Sequence, residues 1–246
     1  MDFTLGEKVV YIDDSADDAV FWDIGGVLLD LDSVQASHRA FVGRLADEYD
    51  LAMEEALETW RDELGTYFRE RDGNAFRSAR AGYERAVTAI AGHEVTEDDW
   101  LPAFERATRE QLEPVSETVE TIRALDGRVH QGIVSDIDTW EAKRLLAQFG
   151  VASHLDAVTT SEEVGRTKPH QSMFETALEK AAVEPAETLM VGDRYENDMV
   201  GGSRAGIHTV AFGGSAADAD SDDPVVDRRI DDPRDVLDLV GVENAE

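Results

Sequence analysis

Residues 20–32 read Val-Phe-Trp-Asp-Ile-Gly-Gly-Val-Leu-Leu-Asp-Leu-Asp, an apolar run that ends on one carboxylate, Asp23, with two glycines directly after it. A strand that delivers an aspartate into a glycine turn can present a nucleophile or a metal ligand, because glycine lets the backbone approach a ligand closely. A strand followed by an ordinary surface aspartate has the same local signature. The arrangement recurs. Gly132-Ile133-Val134-Ser135-Asp136 ends an apolar run in a hydroxyl and fresh backbone amides suited to a phosphate, or in the N-cap of the next helix. Val164-Gly165-Arg166-Thr167-Lys168-Pro169 places a lysine before a proline that holds it extended. The chain has only four lysines against 19 arginines. A compact ammonium in such a background suits a specific task, the competing reading being a solvated loop lysine. Leu189-Met190-Val191-Gly192-Asp193-Arg194-Tyr195-Glu196-Asn197-Asp198 supplies another strand, a glycine and aspartates five apart. With 29 aspartates in the chain that spacing is weak alone, and its place at a strand end gives it meaning. Asp193 and Asp198 facing Asp23 would form a hard-oxygen site, which suits magnesium.

These residues need a scaffold, and the hydrophobic period supplies one. From Ser33 to about Leu112 apolar residues recur at helical spacing, as in Phe41, Leu45 and Tyr49, then Leu57, Trp60, Leu64 and Phe68. Roughly four helices are expected, the last opened by Thr96 with acids in its first turn. After Pro114 helices alternate with short apolar strands. Helices are expected over 116–125, 138–149, 171–182, 197–205 and 233–240, and strands over 128–134, 155–158, 188–191 and 207–211. This is an α/β pattern: a Rossmann-like parallel sheet with helices on both faces and ligands at the carboxyl ends of its strands. The expected division is a core of 1–32 and 113–246 with an all-α cap of 33–112 inserted after the first core strand. Residues 7–12 offer an extra edge strand, and 213–223 read as loop.

Composition narrows the classes. The 246 residues carry 54 acidic against 23 basic side chains, a net charge of −31, spread over every segment. Such a surface repels nucleic acid and anionic membranes. At ~1 M salt the Debye length falls to about 3 Å, so an acid-rich, lysine-poor surface fits a salt-rich, halophilic cytoplasm. Cysteine is absent, which excludes disulfides and thiolate chemistry. No apolar run reaches membrane-spanning length and the first residues lack a signal-peptide pattern, so a cytoplasmic protein is expected.

In order, Asp23, Ser135, Lys168 and the Asp193/Asp198 pair resemble the four motifs of the haloacid dehalogenase-like hydrolase superfamily. The match runs over about residues 20–212: Asp23 to Leu28, Gly132 to Asp136, Lys168-Pro169 with Met173-Phe174, and Val191 to Asp198 continuing to Ala205-Gly206-Ile207. The resemblance implies a subfamily with a helical cap of the first type. It implies phosphoryl transfer to Asp23, then hydrolysis of the aspartyl-phosphate by water. It implies Mg2+ held by Asp23, the Gly25 carbonyl and Asp193, with Asp198 supporting. Phosphate binding falls to Ser135, Gly25, Asp136 and Lys168, the lysine also orienting Asp23. The implied partner is a small phosphorylated metabolite; oligomeric state is left open.

One departure matters. Phosphatases of this kind usually carry a second aspartate two positions after the nucleophile, where this chain has Gly25. Its backbone carbonyl survives the change and a proton-transferring side chain does not. General acid–base help is worth typically 10²–10⁴-fold, so phosphates with good leaving groups should suffer least. Asp30 or Asp32 would replace it only if the following loop folded back; both read as surface acids. The alternatives are a 2-haloacid dehalogenase attacking carbon, a phosphomutase, and a weakly active protein binding a phosphorylated ligand or partner. The six histidines show no zinc-like spacing, the four tryptophans fit packing, and Arg61, Arg69, Arg71, Arg77 and Arg80 read mainly as partners for the many acids.

Overall fold

The computed structural model describes residues 18–242, so the proposed strand at 7–12 lies outside the described residues. β1 is Ala19–Trp22. The chain then leaves for α1 (Leu31–Glu48), α2 (Met53–Arg69), α3 (Ala79–Ala91) and α4 (Glu97–Gln111). It returns through α5 (Ser116–Ala124), β2 (His130–Ser135), α6 (Thr139–Gln148), β3 (Ala157–Thr160), α7 (Ser161–Val164) and α8 (Gln171–Ala181). β4 (Thr188–Gly192), a π-helical turn (Tyr195–Val200), α9 (Gly201–Arg204), β5 (His208–Phe212), α10 (Gly214–Ala217), β6 (Arg228–Ile230) and α11 (Asp235–Leu239) complete it.

The strands form one parallel sheet in the order β3-β2-β1-β4-β5-β6. Side chains alternate across it. Val20 and Trp22 join Ile133, Leu189 and Val191 on one face, under α5, α6 and α11, while Ala19 and Phe21 join Val134 and Met190 against Met173 and Phe174 of α8 on the other. Burial on both faces is why these strands read as apolar runs. The buried amide of Gln131 is satisfied, donating to the Ile122 carbonyl at 2.9 Å and accepting from Trp22 Nε1 at 3.3 Å. β1 lies between β2 and β4 where the winding direction reverses, so a crevice opens at its carboxyl end.

α1–α4 enclose a separate apolar cluster built on Phe41, Trp60, Tyr83, Trp100 and Phe104. Trp60 stacks on Tyr83 at 5.5 Å between centroids. Thr96 opens α4 in a capping box, its N–H donating to Asp99 Oδ2 at 2.7 Å. The two connections to the sheet run antiparallel, with Asp30 N bonded to Glu113 O at 3.0 Å and Val115 N to Leu28 O at 2.9 Å. Asp30 caps α1, accepting from Ser33 N at 2.8 Å, and Asp32 is exposed in its first turn, so neither folds back toward Asp23.

Several boundaries move. β3 begins two residues later than the pattern suggests, because a 3-10 turn occupies Ala152–His154 and Asp156 is used to accept Gln131 N at 2.9 Å. The segment 213–223 is not all loop, since it holds α10. β6 escapes notice because Arg228-Arg229-Ile230 is a polar edge strand in which only Ile230 is buried.

Candidate active site at the carboxyl edge of the sheet

Asp23 follows the last paired residue of β1 and is wholly buried, so it is no surface aspartate. Its N–H donates to Val191 O at 3.0 Å, fixing it between β2 and β4. Its Oδ1 accepts from Ile24 N at 2.8 Å and meets Lys168 Nζ at 3.0 Å. The turn that follows is closed by Gly26 N to Leu29 O and by Leu28 N and Leu29 N to Ile24 O; among the described residues none of these bonds uses the Gly25 carbonyl. Gly26 has φ +75°, and a Cβ there would stand 2.5 Å from Asp193 Oδ2. Only glycine brings the two carboxylate loops this close. Gly25 is roomier: a Cβ would meet nothing nearer than Leu31 Cδ2 at 3.8 Å.

Lys168 is 1 % exposed, which ends the reading as a loop lysine. Its ammonium lies 2.6 Å from Asp198 Oδ1 as well as 3.0 Å from Asp23 Oδ1, and donates to Val134 O at 2.9 Å. Burial opposes its charge, but Asp198, Asp23 and Asp136 outweigh that and push its pKa up to about 12. The peptide to Pro169 is cis. Asp136 holds this segment: its carboxylate accepts Lys168 N at 2.7 Å and Asn197 Nδ2 at 2.9 Å. The side chain of Asp136 is thus committed to protein contacts, and anything it offers a phosphate comes from its backbone. Ser135 directs its hydroxyl to Asp23, so neither residue of this pair caps α6.

Asp193 follows β4, and its carbonyl accepts Ala216 N of α10 at 2.9 Å. Asp198, five residues on, accepts Arg194 N at 3.0 Å through Oδ2. The intervening turn is π-helical, a wide geometry often found at functional sites. Asp23, Asp193 and Asp198 each offer an oxygen within 4.8 Å of the others. Each of those acids has a buried oxygen with no hydrogen bond, Asp23 Oδ2, Asp193 Oδ1 and Asp198 Oδ1, the last of them ion-paired with Lys168 at 2.6 Å while Asp198 Oδ2 accepts a backbone amide. Unsatisfied oxygens on three clustered acids, with the Gly25 carbonyl left out of the turn's hydrogen bonds, fit a hard divalent cation.

The electrostatics agree. Asp23, Asp136, Asp193 and Asp198 against Lys168 and Arg194 leave two negative charges, the amount one divalent cation cancels. Burial raises the Asp23 carboxyl, but Lys168, Arg194 and the Ser135 hydroxyl outweigh it and hold it below the usual carboxylate range. Of the two acids sharing Lys168, Asp23 is thus shifted down, while burial shifts Asp198 up. Burial, then Asp23 and Asp198, raise Asp193 to about 6.

Sequence reasoning did not single out Arg194, Asn197 or Glu141. Arg194 reaches within 3.7–3.9 Å of Asp136, Asp23 and Asp193. Glu141 and Tyr83 line two cavities at the mouth, of about 170 and 280 Å³, which share Asp136, Ile137 and Arg194. Gly25 and Ser135 belong to the first, Arg71, Arg77 and Asn197 to the second. A larger cavity, about 590 Å³, lies on α1 and α2 and shares only His38 with the smaller one. It lacks any of the clustered acids, so size is a poor guide here. Arg80 pairs with Glu97 at 2.5 Å and Arg77 with Glu70 at 3.7 Å, as the abundance of acids suggested. Among the described residues no helix is long and apolar enough to cross a membrane.

Three similarities complete the picture. The chain is 26 % identical over 210 residues to a glyceraldehyde 3-phosphate phosphatase of Methanothermobacter thermautotrophicus, covering 83 % of this chain and 89 % of the relative. It is 27 % identical over 235 residues to a ribulose-1,5-bisphosphate 5-phosphatase of Halopiger xanaduensis, covering 90 % and 98 %. Its fold superposes on a phosphatase crystal structure from Thermococcus onnurineus with a TM-score of 0.67 at 21 % identity, over 93 % of this chain and all of that one. The model of the haloacid dehalogenase-like hydrolases matches residues 17–206. With that match, a parallel sheet wound as described and a carboxylate cluster at its carboxyl edge, the chain belongs to the haloacid dehalogenase-like hydrolases.

Proposed function

We propose that this protein is a magnesium-dependent phosphatase of a small phosphorylated metabolite, working through an aspartyl-phosphate on Asp23. The observation that carries the reading is the buried Asp23 carboxylate, held ionised by Lys168 next to an acid pair with unsatisfied oxygens. Both curated relatives described above bear phosphatase names, which supports the same chemistry.

Asp23 attacks phosphorus while the bond to the leaving oxygen breaks, and water then cleaves the acyl-phosphate, freeing Asp23. Ile24 N–H and Lys168 fix the rotamer of the attacking group, so little ordering remains when substrate arrives. Lys168 also offsets charge that spreads over the phosphoryl oxygens, and Ser135 with the amides after β2 holds them. Asp23, Asp193 and the Gly25 carbonyl would hold Mg2+, with Asp198 behind them positioning Lys168. When bound, the cation neutralises repulsion between the carboxylates and an incoming phosphate. We assign residues 33–112 the role of a cap domain that closes over the crevice. The docking contacts are Phe76 N to Gly165 O at 3.1 Å, Thr167 N to Asn74 O at 2.8 Å, and Asp138 accepting Ala79 N at 2.7 Å and Ser78 Oγ at 2.5 Å.

The test is turnover of p-nitrophenyl phosphate in molar salt with magnesium or with a chelator. Metal-dependent turnover abolished in Asp23→Asn is expected. Release of halide from a 2-haloacid without metal would replace this reading with dehalogenase chemistry, and binding of phosphate esters without turnover would replace it with a sensor.

A further inference from the structure

The first chemical step has a gap. An alkoxide leaving group needs a proton, and the residue two after Asp23 is a glycine. Asp30 caps α1 and Asp32 faces solvent, so neither supplies it. The donor must therefore come from the wall of the cavity that faces Gly25. That cavity, about 170 Å³, has room for about five or six waters. Its polar lining beyond Ser135, Asp136 and Arg194 is Ser37, His38, Tyr83, Thr108 and Glu141. Ser37 and Thr108 spend their hydroxyl protons on the carbonyls of Val34 and Phe104. Burial lowers His38 to about 4 and lifts Tyr83 well above its usual range, so neither exchanges a proton near neutrality.

Glu141 is different. It sits in the first turn of α6, six residues after Ser135, with only 13 % of its side chain exposed. Among the described residues its carboxyl accepts no hydrogen bond, and its one ion-pair partner is Arg144, at 3.9 Å. It faces both cavities that meet over Asp136 and Arg194. A nearly buried acid without a hydrogen-bond partner costs stability, and such a cost is tolerated where the group has a task.

We propose that Glu141 donates a proton to the leaving oxygen of an alkyl phosphate in place of the side chain that position 25 lacks. This deepens the phosphatase reading and rests on it. As Asp23 forms its bond to phosphorus, the phosphorus–oxygen bond to the substrate breaks and the departing oxygen takes the Glu141 proton, releasing an alcohol. The resulting carboxylate then accepts a proton from the water that attacks the aspartyl-phosphate, which regenerates both acids and yields inorganic phosphate. Burial lifts Glu141 to about 7, against Arg144, which opposes the rise, and Asp138, which adds to it. The other charged groups around it are Asp136 and Arg194 at the cavity floor and Glu105 and Arg109 of α4 near Arg144.

The experiment compares glycerol phosphate with p-nitrophenyl phosphate, whose leaving group needs no proton, using magnesium-loaded wild type, Glu141→Gln and Glu141→Asp. Glu141→Gln should lower kcat/KM for glycerol phosphate by about 10²–10³-fold and for the nitrophenyl ester by far less. The fall of kcat/KM for glycerol phosphate above about pH 7 should vanish with it. Gly25→Asp in the Glu141→Gln background should restore glycerol phosphate turnover, since position 25 has room for a side chain. Glu141→Asp, which keeps a carboxyl near Arg144 but withdraws it from the leaving oxygen, should show the same selective loss even if the glutamine variant fails to fold. Equal losses on both esters, or an unmoved pH limb, would overturn the proposal and leave the phosphatase reading standing. A wild type inactive on both esters would remove both.

Discussion

Replacing Lys168 by methionine keeps most of the length of the side chain and deletes its charge. The ammonium is buried between Asp198 Oδ1 at 2.6 Å and Asp23 Oδ1 at 3.0 Å, with Val134 O at 2.9 Å. Removing one member of a buried ion cluster costs about 3–5 kcal/mol, because the remaining charges lose their partner. For a chain of this length that is a drop in Tm of roughly 6–20 °C. The loss should depend on pH in a stated direction. Without the lysine, one of the two carboxyls takes up a proton, and its folded pKa rises above the unfolded value. A group of that kind contributes most below its unfolded pKa and loses the contribution as pH rises through the folded one. The deficit of Lys168→Met against wild type should therefore be largest near pH 7.5 and shrink toward pH 5. Magnesium should recover part of it by supplying the missing positive charge. Calorimetric melts of both proteins across that range, with and without magnesium, test this. A variant within about 2 °C of wild type at pH 7.5, when a kcal/mol is worth roughly 2–4 °C, would refute the claim that the ammonium holds the carboxylates together.

Other consequences are equally direct. Because Asp193 is raised to about 6, a cation must displace its proton at lower pH, so magnesium affinity measured by titration calorimetry should fall about tenfold per unit below pH 6. In the metal-free protein the same acid favours folding below about pH 4, and that contribution is lost as pH rises through 6. Asp138→Ala removes the acceptor of Ser78 Oγ and Ala79 N and should loosen the docking of α3, raising KM and amide exchange in residues 72–82 with little change in Tm; unchanged exchange would count against a docked cap. The net charge of −31 predicts a Tm that climbs between low and molar salt, and a flat or falling Tm would contradict a salt-adapted surface.

How much of this was written in the sequence depends on the range of the interactions concerned. The strands around Asp23, Ser135 and Asp193 were legible because a sheet covered on both faces demands apolar runs. The four helices were legible because each buries one stripe into the cluster around Trp60, Tyr83 and Phe104. Lys168 stood out by its rarity and its place before Pro169, and its burial explains why arginine, bulkier and forked, does not replace it. What stayed hidden was set by contacts between distant segments. Glu141 is one glutamate among 25 and carries no local signature; only the approach of α1, α3 and α6 encloses it. Arg194 lay in view beside Asp193, yet nothing along the chain says that its guanidinium turns inward toward Asp23 and Asp136. α10 looked like loop because Gly213 and Gly214 open it, and Gly214 lets the backbone pass Asp193 O, where a Cβ would collide.

The central claim is that Asp23 becomes phosphorylated. The protein should be mixed with magnesium and a phosphate ester, quenched in acid within milliseconds, digested and analysed by mass spectrometry. The peptide containing Asp23 should gain the mass of one phosphoryl group, and hydroxylamine treatment should remove it. Phosphate released at full rate with that peptide unmodified at every quench time, or the label found on another residue, would contradict the account.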